Sequence, residues 1–153
     1  MRPWLVLVGL IIVVQAAGSA GALVTDPAYY RELVQPSWAP PGWLFGPVWL
    51  TLYTMIAVSI WLCWRAPRDR ARTTALRWQA AHMVLNAAWT PIFFGLKAPG
   101  WALLVIVALA LTITGAIVAS ARVTRTAAWL LAPYLAWVAF ATALNAALVY
   151  LNR

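Results

Sequence analysis

The sequence predicts an all-α integral membrane protein in which five transmembrane helices form one domain over residues 1–153. Composition is the first indication, because 65% of the residues are hydrophobic and only 9% are charged, with a mean hydropathy of +0.82. A soluble domain carries about 25% charged residues, which cover its surface. The second indication is a series of apolar runs, each near the ~20 residues that a spanning helix needs. None of them alternates as a barrel strand would, so we predict helices.

The helices are expected at about 4–24, 43–64, 76–95, 101–121 and 127–151, with a Pro- and Trp-rich loop at about 25–42. The first run also fits a signal peptide, since Arg2 precedes an apolar core and small residues follow at 17–22. We interpret it as a retained helix, because small residues such as Gly18 and Ala22 equally suit close helix packing. The third run is the most polar and holds Gln79 and His82.

Basic residues predict the orientation of the bundle and argue against nucleic-acid binding. The arginines and the lysine fall between the apolar runs and not along one face, so the net charge of +8 is a topology signal. One side would carry Arg2, Arg65, Arg68, Arg70, Arg72, Arg77, Arg122 and Arg125, and the other Arg31, Lys97 and Arg153. The larger set is expected in the cytoplasm, which puts the N-terminus inside and the C-terminus outside.

The inventory of reactive side chains excludes most catalytic and metal chemistry. The chain has one Cys and one His, and its three acidic residues all lie outside the apolar runs. No disulfide framework is available, and we expect no metal site and no acid–base catalytic residue.

Polar and aromatic residues recur at helical spacing on three of the predicted helices. They are Trp49 and Tyr53; His82, Asn86, Trp89 and Phe93; and Tyr134, Trp137, Ala141 and Asn145. Together these stripes are typical of an apolar cavity for a flat hydrophobic ligand. The alternative is that the polar groups satisfy one another across helices while the aromatics form an interfacial belt.

Three blocks of sequence resemble one known family. They are 29–53 with Pro36-Ser37-Trp38-x-Pro40-Pro41-x-Trp43 and Gly46-Pro47-Val48-Trp49-x-x-Leu52-Tyr53, 86–95 with Asn86-x-x-Trp89-x-Pro91, and 133–145 with Pro133-Tyr134-Leu135-Ala136-Trp137. These blocks identify the chain as resembling the translocator protein/tryptophan-rich sensory protein (TspO/MBR) family, once called peripheral benzodiazepine receptors. The resemblance is to a bacterial-type member in the cell membrane.

The resemblance implies a five-helix bundle, a homodimer, and a ligand pocket that the first loop covers as a lid. Relatives bind porphyrins such as protoporphyrin IX, cholesterol and benzodiazepine-type ligands. Carried over by position, the ligand-binding residues would be Gly18, Ala22, Trp38, Trp49, Tyr53, Asn86, Trp89, Trp137, Ala141 and Leu144, with Tyr30, Pro40 and Pro41 in the lid.

Two departures from the family pattern affect the expected ligand. His82 stands where the family often has Gln, so we include it as a ligand-binding candidate. The cholesterol motif of animal relatives has a tyrosine where this chain has Ala146, and only the weak pattern Leu148-x-Tyr150-x-x-Arg153 remains. Porphyrin is therefore the better-supported ligand.

The leading hypothesis is a tetrapyrrole-binding membrane protein of porphyrin transport or stress-linked regulation. Its ligand would be protoporphyrin IX or a haem-type tetrapyrrole, with membrane lipid as its surroundings and no required cofactor. One alternative is an enzyme that degrades porphyrin in light, and another is a structural or scaffolding membrane protein.

Overall fold

The computed structural model describes residues 2–24 and 26–153, without the side chains of Ala22, Val24 and Pro27. All regular structure within these residues is helical. Six α-helices are described: α1 (Pro3–Ser19), α2 (Pro27–Glu32), α3 (Phe45–Arg65), α4 (Arg70–Thr90), α5 (Pro99–Ala121) and α6 (Arg125–Leu151). Short 3₁₀ segments cover Ala20–Val24 and Gly42–Leu44, and a π-helical turn covers Pro91–Gly95.

The long helices form a closed ring. Packing contacts order them α4, α5, α6, α3 and α1, and α1 contacts α4 to complete the circle. Within the described residues, three helical segments are long and apolar enough to cross a membrane: Gly42–Arg65, Pro99–Ala121 and Arg125–Leu151. α1 is apolar but shorter, and α4 carries arginines in its first two turns. The count of five spans therefore stays a prediction.

Several helix bounds differ from the sequence prediction for local reasons. The loop expected at 25–42 contains α2, which Asp26 caps by accepting a hydrogen bond from the Ala28 amide at 3.0 Å, with a proline in the first turn. α4 begins at Arg70 and not near 76, because Asp69 accepts a bond from the Arg72 amide at 2.8 Å. Both caps favour helix in turns that are too polar to be read as membrane-spanning.

The two ends of the bundle are distinct. At one end the Trp61 indole donates to the Pro3 carbonyl at 2.9 Å, and the Ser59 hydroxyl donates to the Ala127 carbonyl at 2.8 Å. At the other end the Lys97 ammonium lies 3.0 Å from the Asp26 carboxylate. The larger set of arginines belongs to the first end, and the loop at 26–42 covers the second.

Candidate ligand-binding cavity

A cavity of about 870 Å³ opens inside the helix ring beneath the loop at 26–42. Residues from α1, α3, α4, α5, α6 and the loop line it, and most of them are apolar or aromatic. Nine of the residues proposed from sequence lie on its wall: Gly18, Tyr30, Trp49, Tyr53, Asn86, Trp89, Trp137, Ala141 and Leu144. The structure thus brings together predicted residues from four helices and the lid.

Stacked aromatic pairs form much of the wall. Trp49 stacks on Tyr53 with ring centroids 5.1 Å apart, and Trp89 stacks on Phe93 at the same distance. Both pairs are four residues apart, which places them one above the other on a helix face. Phe45 of α3 and Trp137 of α6 meet edge to face, with ring centroids 5.7 Å apart. These faces offer flat apolar surface to a ligand.

Asn86, which is itself on the wall, connects α4 to α3 and α6. The Tyr53 hydroxyl donates to its Oδ1 at 3.0 Å, and its Nδ2 donates to the Tyr134 hydroxyl at 3.1 Å. The Tyr53 hydroxyl also lies 3.3 Å from the Gly18 carbonyl on α1. Asn86 therefore fixes the position of two tyrosine rings, a role that its spacing in the sequence did not reveal.

A second amide fixes Trp89. The indole Nε1 donates to Asn145 Oδ1 at 3.2 Å, and Asn145 Nδ2 donates to the Pro99 carbonyl at 2.9 Å. Asn145 lies on the cavity wall, so it orients an aromatic wall residue and ties α6 to the start of α5. The predicted mutual satisfaction of polar groups across helices thus coexists with a cavity.

Several candidates lie away from the cavity. His82 is fully buried, with its ring centroid 5.4 Å from that of Tyr134 and its Nε2 2.9 Å from Gln79 Oε1. Trp38 is 48% exposed, and its ring packs edge to face against that of Phe140, with centroids 5.8 Å apart. Pro40 and Pro41 lie in the loop beyond the cavity wall, and the side chain of Ala22 lies outside the described part of the chain. Helix rotation and loop path, which spacing does not specify, put these residues elsewhere.

The weak sterol pattern is not one surface. Leu148 is buried and lines the cavity, whereas Tyr150 is 69% exposed with the Arg153 guanidinium 5.3 Å from its ring centroid. Tyr150 and Arg153 therefore lie together at the surface, whereas Leu148 lies apart from them on the cavity wall.

Two further wall residues, Gln15 and Phe45, were not among the sequence candidates. Gln15 of α1 donates to the Leu50 carbonyl at 2.9 Å and to the Thr54 hydroxyl at 3.2 Å. An amide within an apolar run signals a side chain that faces protein. Phe45 lies four residues before Trp49, so the stripe on the second predicted helix extends one turn further.

Polar contacts at Asp26 and Val34 help to hold the lid on the bundle. Lys97 pairs with Asp26, and its ammonium lies 5.3 Å from the centroid of the Tyr29 ring. The Asn152 side chain accepts from the Val34 amide at 2.9 Å and donates to the Val34 carbonyl at 3.0 Å. The hydrogen bond from Lys97 lowers the pKa of Asp26 below its usual value, and the same partner raises the pKa of Lys97.

The chain is similar to named proteins over nearly its whole length. The model of the TspO/MBR family matches residues 10–151. The translocator protein of Sus scrofa is 37% identical over 94% of this chain and 88% of the relative. The tryptophan-rich protein TspO of Chlorobaculum tepidum is 36% identical over 95% and 92%, and protein CrtK of Rhodobacter capsulatus is 36% identical over 89% and 86%. With its apolar helices and this match, the chain is an integral membrane protein that belongs to the TspO/MBR family.

Proposed function

We propose that the protein binds a tetrapyrrole, protoporphyrin IX or a haem-type relative of it, and serves porphyrin transport or stress-linked regulation. The observation that carries this proposal is the aromatic cavity of about 870 Å³, which lies under a lid held by an ion pair and hydrogen bonds. Pockets that bind small molecules measure about 300–1,000 Å³ and combine apolar walls with a few placed polar groups. A flat macrocycle is the kind of ligand that stacked aromatic walls favour.

Three indoles provide the stacking surface. Trp49, Trp89 and Trp137 line the cavity, and two of them are held in stacked pairs before any ligand enters. A wall that is already ordered loses little side-chain entropy on binding, which favours affinity. The macrocycle would therefore lie against rigid ring faces and displace no packed side chain.

Five membrane spans with a cytoplasmic N-terminus are part of the proposal. α4 has 21 residues, or about 31 Å of helix, which matches the ~30 Å hydrocarbon core. α1 has 17 residues, and the 3₁₀ segment Ala20–Val24 lengthens it. The buried polar residues of α4 face other helices, so this helix can cross lipid although its sequence is the most polar of the five.

Quenching of tryptophan fluorescence by protoporphyrin IX tests the proposed site. We expect Trp49→Phe and Trp137→Phe to weaken binding, because each removes part of a stacking face. Trp129→Phe is the matched control, since Trp129 is 74% exposed and lies away from the cavity. Equal affinity in all three variants would place the porphyrin elsewhere.

A second candidate function is oxidative breakdown of the bound porphyrin in light, with dioxygen as oxidant. The same three indoles favour it, because an indole beside a photoexcited macrocycle can donate an electron. Illumination of the complex in air should then yield a bilin-like absorbance. A yield no higher than in a protein-free control would remove this candidate.

The expected homodimer stays a prediction, but the structure separates its candidate surfaces. On α5, Ala116 and Ser120 are fully buried inside the ring. On α6, Ala136, Ala139 and Ala143 are less buried, so this helix presents small residues to its surroundings. Small residues let helices approach closely in a membrane, which makes α6 the surface to examine by cross-linking.

A further inference from the structure

Two hydrogen-bond donors on the cavity wall have no partner within the part of the chain that the structure describes. The Tyr30 hydroxyl and the Trp137 Nε1 are buried and unpaired among the described residues. Their rings flank Phe45, with centroid distances of 6.1 Å and 5.7 Å. Buried polar atoms are nearly always paired in folded proteins, so two unpaired donors at one end of a cavity require an explanation.

The three amide side chains on the wall are already engaged. Both Asn86 atoms bond to tyrosines, Asn145 bonds to Trp89 and to the Pro99 carbonyl, and Gln15 bonds to α3. Tyr30 and Trp137 are thus set apart by their chemistry: an indole N–H only donates, and a phenol donates readily. Burial raises the pKa of Tyr30, which keeps its hydroxyl protonated.

A cation lies beside these donors. Arg31 follows Tyr30 in α2 and lines the same cavity, and its guanidinium has no hydrogen bond or ion pair within the described residues. The ammonium of Lys97, the neighbouring cation, instead forms an ion pair with the Asp26 carboxylate at 3.0 Å. None of the described residues that line the cavity is acidic. The lid end of the cavity therefore offers donors and positive charge, with no carboxylate on its described wall to neutralise them.

We propose that Tyr30, Arg31 and Trp137 form an acceptor subsite that binds a carboxylate on the edge of the ligand. The ligand class is then a flat apolar molecule with an acidic edge, which enters with its apolar body toward Tyr53 and its carboxylate toward the lid. This inference rests on the proposed function, because it names the polarity and orientation of the molecule in that same cavity. Hydrogen bonds between charged partners are the stronger kind, so the subsite would select acids over neutral analogues.

A pair of porphyrins separates the two proposals. Protoporphyrin IX carries two propionates, whereas etioporphyrin carries only alkyl groups on a macrocycle of the same size. The full-length protein in detergent micelles should bind protoporphyrin IX about tenfold more tightly than etioporphyrin, as charge-assisted hydrogen bonds predict. Direct titration by porphyrin absorbance measures both affinities on one preparation.

Two variants test whether Tyr30 and Arg31 cause the preference for protoporphyrin IX over etioporphyrin. Tyr30→Phe and Arg31→Gln should each weaken binding of protoporphyrin IX by about three- to tenfold and leave etioporphyrin affinity unchanged. Tyr29→Phe and Arg153→Gln are matched controls at the same end of the bundle, because neither residue lines the cavity. Tyr30→Phe also removes an unpaired buried hydroxyl, so its ligand-free melting temperature should not fall.

Each outcome is decisive. Failure of both porphyrins to bind would overturn the proposed function. Equal binding of the two, or equal losses for both in Tyr30→Phe and Arg31→Gln, would leave the cavity as a porphyrin site and overturn the acceptor subsite. A fall in the ligand-free melting temperature of Tyr30→Phe would show that the hydroxyl has a structural partner, which also contradicts the subsite.

Discussion

Gly18 shows how a single position on α1 sets the shape of the cavity. The family resemblance implies that this glycine lets the first helix approach the ligand. In the structure the space beside Gly18 is occupied by protein: the Tyr53 ring lies where a Cβ atom of residue 18 would be. Because Gly18 has no side chain, the Tyr53 ring can pack against it, and this ring lines the cavity.

A methyl group at this position should destabilise the protein. Gly18→Ala would push the Tyr53 ring away and weaken its bond to Asn86, at a cost of about 1–3 kcal/mol for overpacking. Gly9→Ala is the control on the same helix, since nothing lies within 4 Å of a Cβ atom there. Thermal unfolding in detergent measures both, and equal melting temperatures would contradict the packing argument.

Asn86 couples two tyrosines, and a double-mutant cycle measures that coupling. We expect Asn86→Leu and Tyr53→Phe to be non-additive by about 0.6 kcal/mol and at most about 1.7 kcal/mol, as for other hydrogen bonds between membrane helices. Unfolding free energies of the wild type, both single variants and the double variant give the value. Thr51→Val is a matched control partner, because its hydroxyl bonds only to the Pro47 carbonyl among the described residues. Strict additivity with Tyr53→Phe would show that the bond is absent in solution.

At the scale of elements, the lid is held by contacts that are far apart in the sequence. Asn152 mimics a peptide group, since its side chain both accepts from and donates to the Val34 backbone. Lys97 reaches Asp26 from a residue with a φ of 50°, so the turn after the π-helical segment aims this side chain at the lid. The lid position therefore depends on the turn that precedes α5 and on the end of α6.

Removal of the Asn152 amide should loosen the lid. Asn152→Ala leaves the Val34 amide without its partner, so hydrogen exchange at Val34 should accelerate while exchange in α5 stays unchanged. Arg153→Gln, one residue further along, is the control. Unaltered exchange at Val34 would mean that the Asn152 side chain does not hold the loop in place.

The ionic contact gives the lid a dependence on acid. Because folding lowers the pKa of Asp26, its contribution is complete above the ordinary value of 3.8 and is lost as the pH falls through the lowered pKa. Lys97 stays charged throughout this range, since its pKa is raised. A spin label at Ser37→Cys, in a Cys63→Ser background, should become more mobile below pH 3.8. Asp26→Asn should be mobile at neutral pH and insensitive to acid, and a parallel response in both proteins would contradict the ion-pair origin.

At the scale of the whole molecule there are two polar regions: one lies on the cavity wall, and the other surrounds Gln79 away from the cavity. Away from the cavity, Gln79 Nε2 lies 2.8 Å from Ser59 Oγ and 3.4 Å from Ser120 Oγ, and all three side chains are buried, whereas His82 Nδ1 has no hydrogen-bond partner among the described residues. His82 belongs to this region through Gln79. The packing interpretation of the membrane polar residues fits the contacts of Gln79, and a ligand role for His82, which does not line the cavity, stays a prediction.

The predicted orientation is open to a labelling test on intact cells. In a Cys63→Ser background, a membrane-impermeant maleimide should label Ser37→Cys in the lid and leave Arg68→Cys unlabelled. The reason is that these residues lie at opposite ends of the bundle, with the larger set of arginines on the cytoplasmic side. Permeabilised cells, in which both should react, are the control. The reverse pattern would invert the topology.

The sequence by itself determined the helical membrane class, the family, and the pairs that one helix face defines. Trp49 with Tyr53 and Trp89 with Phe93 stack as their four-residue spacing predicts, because that relation is local to a helix. The helix caps at Asp26 and Asp69 also depend on local sequence. The sequence prediction missed the helical turns that they start, because it searched for apolar runs and these turns are polar. Only the tertiary structure decided how the helices are rotated and where the lid lies. That arrangement buries His82 behind Tyr134, leaves Trp38 at the surface, and turns Tyr30 and Arg31 toward the cavity. These outcomes depend on contacts between distant segments, which spacing along one helix does not encode.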